Sequence, residues 1–266
     1  MPDRSIAGQW TKIRSERRAA LIPYLTAGYP SVALTRDALR MVVEAGADFV
    51  ELGVPFSDPL ADGPVIQRSS HVALQQGMNV AGVLRLIREA RLTVPVIVFS
   101  YLNPILSYGL GRFAHEAQQS GVAGLLLTDL PAGEDPAVET TMRSAGMDLI
   151  RLIAPTTEGA RLAAAVRGAG GFLYVISRLG VTGARTELDG NAERLVARVR
   201  AVSKLPVALG FGLASGEQAR KVGRFADGVV VGSALVERLG EGIEPARRLM
   251  VELRSGVQGP FDRPKP

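Results

Sequence analysis

Three carboxylates fall within one short stretch, ELGVPFSDPLADGP, residues 51–64: Glu51, Asp58 and Asp62. Three prolines and two glycines break it, so it reads as a strand end followed by defined turns. Glu51 closes an apolar run on the same side as Phe49 and should point among apolar neighbours. A carboxyl group held there titrates above its ordinary range and can lend a proton and recover it. Asp62 lies eleven residues further on and can fold back over Glu51 through the turns. Asp58, beside Pro59, reads equally well as a turn-forming surface acid.

Other chemistries lack their residues. There is no cysteine, which removes disulfides, thiol nucleophiles and thiolate-bound metals and fits a reducing compartment, the cytoplasm by default. The two histidines, His71 and His115, fall in predicted helices, which argues against a metal cluster or a Ser-His pair. The lysines, Lys12, Lys204, Lys221 and Lys265, end no predicted strand, so a Schiff-base mechanism has no nucleophile.

Two segments suit a phosphate. GFGLASGEQA, containing Gly212, and VVVGSALVERL, containing Gly232 and Ser233, each run from a strand through glycine into a helix start. Backbone N–H groups at such starts bind anions, although glycines also serve plain turns.

The elements that must carry these residues read as short apolar runs at 21–26, 48–52, 95–100, 122–127, 148–153, 172–176, 206–209 and 227–231. Most are continuously apolar, as parallel strands covered on both faces are. Helical patterns alternate with them: Ser31 caps a stripe of Val32, Leu39, Val42 and Val43, and Leu162, Ala165, Val166 and Ala169 form another that runs to Gly170 and Gly171. Eight strand-helix repeats predict a single-domain (β/α)8 TIM barrel over 19–256, with an extra N-terminal helix in 1–18 and a frayed tail at 257–266. Barrel sites lie at the carboxyl ends of the strands, where Tyr24, Glu51, Tyr101, Asn103, Asp129, Ser177, Gly210–Gly212 and Gly232 fall.

Composition agrees with a globular chain: 266 residues, 47% hydrophobic and 21% charged. The net charge of +5 is spread singly, mainly as arginine, with 5% aromatic residues, which speaks against nucleic acid. The uncharged run at 92–111 is long enough to cross a membrane, but Pro95, Asn103 and Pro104 make it a strand, a turn and a helix start. The N-terminus has no signal-peptide core.

ELGVPFSDPLADGPVIQ closely resembles the signature of the tryptophan synthase alpha chain family. LIPYLTAGYPS, YLNPI, TDLP, SRLGVTGAR, GFG and VVVGSALV extend the resemblance over nearly the whole chain. It implies a barrel lyase that splits indole-3-glycerol phosphate into indole and glyceraldehyde 3-phosphate by a retro-aldol reaction in L-tryptophan biosynthesis. By resemblance Glu51 is the general acid and base, and Asp62 holds the indole N–H. Tyr174 matches the family's active-site tyrosine, and Tyr24, phenylalanine in some members, lines the indole pocket with Tyr101. Phosphate binding carries over to Gly183, Gly212, Gly232 and Ser233. Residues 177–190 resemble the mobile lid, whose Thr182 reaches Asp62.

The resemblance also implies a partner, a beta chain that carries pyridoxal phosphate and receives indole through a tunnel in an alpha-beta-beta-alpha heterotetramer. No cofactor is expected on this chain. Family interface positions fall on Pro55, Asp58, Asn103 and Pro131. Two alternatives stay open: a stand-alone lyase that releases free indole, and a non-catalytic activator of a beta chain, against which both acids argue.

Overall fold

A computed structural model describes residues 5–176, 190–210 and 212–261. The strands are β1 (Ala20–Thr26), β2 (Val50–Gly53), β3 (Val96–Ser100), β4 (Val122–Leu127), β5 (Asp148–Ile153), β6 (Leu173–Ile176), β7 (Val207–Gly210) and β8 (Gly228–Val231). The helices are α1 (Ile6–Ser15), α2 (Val32–Glu44), α3 (Pro64–Gln75), α4 (Val80–Ala90), α5 (Leu102–Tyr108) and α6 (Leu110–Ser120) in the first half. In the second half they are α7 (Pro136–Ser144), α8 (Gly159–Ala165), α9 (Gly190–Val202), α10 (Gly216–Gly223), α11 (Ser233–Glu241) and α12 (Ile243–Val257). The strands pair in parallel, each with the next in sequence, and β8 returns to β1 to close the barrel.

Closure separates two cores. One lies between the outer faces of the strands and the helices, where Leu39 and Val42 of α2 pack. Ser31 caps α2 as its residue type suggests, its hydroxyl accepting from the Leu34 N–H at 3.1 Å. The other core fills the barrel. Ile6, Trp10 and Ile13 of α1 close its lower end, and Trp10 packs on Phe49 and Phe172 with ring centroids 4.9 and 5.8 Å away. A buried ion pair fastens this end: Arg18 grips Asp48 with two bonds of 2.7 Å, and Asp48 also accepts from the Leu21 N–H at 2.9 Å.

Two local expectations need correction. The stripe Leu162, Ala165, Val166 and Ala169 does pack on the core, but the helix expected to run on to Gly170 stops at Ala165. Gly168, at φ +68°, then turns the chain. The expected tail began at 257, but Val257 is the buried last residue of α12 and the Phe261 N–H donates to the Arg17 carbonyl at 3.0 Å. Residues 262–266 lie outside the described residues. Within 92–111 the chain forms β3 and α5, and no described helix is long and apolar enough to cross a membrane.

Candidate active site

At the carboxyl ends of the strands the barrel opens into a cavity of about 310 Å³. Glu51 and Asp62 both line it, and so do Tyr24, Tyr174, Gly232 and Ser233.

Glu51 sits within β2 opposite Tyr24 of β1. It is wholly buried, and neither of its oxygens has a hydrogen-bond partner among the described residues. Desolvation with nothing to offset it pushes the carboxyl up to about 8. This burial favours the neutral carboxylic acid at neutral pH.

Asp62 reaches the same cavity by a different route. The Leu60 N–H donates to the Asp58 carbonyl at 3.0 Å and the Asp62 N–H to the Pro59 carbonyl at 3.1 Å, so two tight turns fold the segment back. Gly63 and Pro64 then start α3. The Tyr101 hydroxyl pins the fold: it accepts from the Ala61 N–H at 2.9 Å and donates to the Asp62 carboxylate. Burial raises Asp62 to about 6, while the Tyr101 bond works against the rise. At neutral pH Asp62 is mostly ionised, beside a Glu51 that is not.

The tyrosines owe their positions to glycines. A Cβ at Gly53 would lie 2.1 Å from the Tyr24 hydroxyl, and one at Gly210 would lie 2.2 Å from that of Tyr174. Tyr24 also meets Phe99 edge-on at 5.2 Å. Burial, reinforced by the nearby acids, raises both phenols above their ordinary value, so they stay neutral.

The start of α11 and the loop Gly212–Ala214 after β7 form another part of the cavity wall. Gly232 precedes α11, whose first N–H groups receive no side-chain cap. Gly212 stands at φ +83°, a conformation that favours glycine. Ser233 is the first residue of α11 and faces the cavity. These N–H groups can hold an anion.

The structure thus gathers Glu51, Asp62, Tyr24, Tyr174, Gly212, Gly232 and Ser233 around one cavity. Tyr101 stands behind Asp62. Thr182, Gly183 and the 177–190 segment fall on residues outside the description, apart from Gly190, which begins α9. Asp58, Asn103 and Pro131 are exposed at the rim, whereas Pro55 is buried within the chain. Sequence reasoning missed Phe99, Ile66 and Glu237, which line the cavity, and the packing roles of Gly53 and Gly210. A run such as PVIVFS does not say which residues face inward, and Glu237 reads as an ordinary solvated helix charge.

Fold and site together define a (β/α)8 barrel enzyme suited to acid-base chemistry. The chain belongs to the tryptophan synthase alpha chain family, whose model matches residues 10–261. It is 44% identical over 241 residues to the tryptophan synthase alpha chain of a Synechocystis species, covering 90% of this chain and 91% of that protein. The alpha chain of Mycobacterium marinum is 45% identical over 246 residues, covering 92% and 91%. Among solved structures, Mycobacterium tuberculosis tryptophan synthase superimposes with a TM-score of 0.90 at 40% identity, covering 96% of this chain and 99% of that one. The tryptophan synthase alpha subunit of Legionella pneumophila gives 0.86 at 35%, covering 95% and 97%.

Proposed function

We infer that this chain is the alpha subunit of a tryptophan synthase and cleaves indole-3-glycerol phosphate to indole and glyceraldehyde 3-phosphate. The observation that carries the reading is the meeting of two acids in one cavity, Glu51 wholly buried with no described hydrogen-bond partner and Asp62 bonded to Tyr101. Neighbouring carboxyl groups whose environments hold them in opposite protonation states can divide acid and base roles.

Glu51 enters protonated and gives its proton to C3 of the indole ring. The carboxylate left behind takes the proton from the hydroxyl on the adjoining glycerol carbon. The carbon-carbon bond breaks, its electrons return to the ring and the aldehyde forms. One proton has moved from hydroxyl to ring carbon and Glu51 is regenerated. Asp62 accepts the indole N–H and opposes the positive charge that the protonated ring carries. Tyr24 and Tyr174 bound the ring site, with Tyr101 behind Asp62, and the α11 start at Gly232 and Ser233, with the loop at Gly212, takes the phosphate.

The same reading assigns Thr182 and Gly183 to a lid that excludes water. It places Asp58, Asn103 and Pro131 against a beta chain in an alpha-beta-beta-alpha assembly in the cytoplasm, with pyridoxal phosphate on the beta chain and no cofactor here. Leu60, 96% exposed between Asp58 and Asp62, stands on the same rim, and Pro55 is buried within the chain.

Indole release from indole-3-glycerol phosphate tests the assignment. Glu51→Gln keeps the shape but cannot shuttle a proton, so kcat should fall by at least about 100-fold while substrate still binds. Indole production by Glu51→Gln at the wild-type rate would remove Glu51 from the mechanism.

A further inference from the structure

One charged residue lining the cavity has no part in the chemistry above. Glu237 is exposed to solvent and lines the same cavity as Gly212, Ser233 and Ala234. It follows Ser233 by four residues on α11, so the two side chains lie one above the other on one helix face, about 5–6 Å apart at Cβ. The neighbouring Arg238 pairs with Glu241 at 2.9 Å instead. No described residue lining the cavity is a cation, and Glu237 forms no ion pair among the described residues. An anion at the start of α11 would thus be held by N–H groups and the helix dipole, with a carboxylate one turn beyond them.

We propose that Glu237 limits how tightly the cavity holds a phosphate monoester. The inference rests on the phosphate reading of the α11 start. Like charges one helical turn apart at a wet cavity wall oppose one another enough to weaken the binding of a dianion by about threefold to tenfold. A ligand that also carries an aromatic ring recovers affinity at the tyrosine end of the cavity. A small phosphate ester has only the anion site and leaves readily. Glu237 therefore loosens every phosphate ester by a similar factor, and the effect on release shows most in the small esters, including the three-carbon product, which have no second site to hold them.

Calorimetry with glycerol 3-phosphate on the full chain tests this, with indole as an uncharged control ligand. At low ionic strength Glu237→Gln should bind glycerol 3-phosphate about threefold to tenfold more tightly than wild type, and Glu237→Lys more tightly still. Both gains should shrink in about 1 M salt, where the screening length is ~3 Å. Indole binding should be the same in all three proteins, an outcome that a change in packing would not give. Ser233→Asp separates the proposal from the reading beneath it. If Ser233→Asp binds glycerol 3-phosphate as wild type does, the phosphate end lies elsewhere and that reading fails. If Ser233→Asp weakens binding but Glu237→Gln and Glu237→Lys bind no more tightly than wild type, the phosphate site stands and the role of Glu237 is overturned.

Discussion

Glu51 and Asp62 are both acids, and their surroundings alone make them different. Glu51 is wholly buried with no described hydrogen-bond partner, whereas Asp62 keeps a bond from Tyr101. The difference has a stability signature. Between the ordinary carboxyl value of 4.5 and about 8, the folded state holds a proton on Glu51 that the unfolded chain has released. The stability that goes with this proton is complete below the unfolded value and is lost as pH rises through that window. At pH 7 the burial costs on the order of 3 kcal/mol. Glu51→Gln should therefore raise the melting temperature at pH 8 and leave it nearly unchanged at pH 4, as calorimetric scans at the two pH values can determine. The glycines beside the tyrosines give a second prediction. Gly53→Ala drives a Cβ into the Tyr24 hydroxyl, and Gly210→Ala does the same to Tyr174. Either change should lower kcat/KM for cleavage by about tenfold or more through displacement of the ring, with circular dichroism unchanged.

At the scale of elements, the barrel works as a plug below and a mouth above. The plug is α1, whose Trp10 meets Phe49 and Phe172. Trp10→Ala should cost about 3–5 kcal/mol in denaturant unfolding while KM stays near the wild-type value, because the residue lies at the opposite end of the barrel from the cavity. The mouth includes the start of α11, and Ser233→Asp there should raise KM for the phosphate substrate with little effect on folding. Much of this was legible beforehand. The run at 122–127 coincides with β4, because a continuous apolar stretch between helical patterns leaves few alternatives, and 148–153 coincides with β5 although Asp148 and Arg151 interrupt it. Glu51 and Asp62 were legible from the proline-broken segment that joins them. Cavity walls such as Phe99 and Ile66 were not, since an all-apolar strand does not mark its inner face and a helix stripe does not say what lies across from it. Glu237 carried no signal at all, and its place follows only from how α11 is set against the mouth.

At the scale of the whole molecule, the exposed rim is where the proposed beta chain would act. Leu60 stands 96% exposed on the loop that also delivers Asp62. A beta chain that covers this loop would fix Asp62, so adding one should raise alpha turnover, and size exclusion should show the two chains eluting together. Unchanged turnover and separate elution with several beta chains would favour a lyase that releases free indole. The central claim is that cleavage needs Glu51 protonated and Asp62 ionised in the same molecule. It is tested most directly by the pH dependence of kcat/KM for indole release from indole-3-glycerol phosphate. The profile should be a bell, rising through about pH 6 as Asp62 ionises and falling through about pH 8 as Glu51 loses its proton. A rate that climbs or stays level well above pH 8 would contradict a protonated Glu51 as the acid that starts the reaction.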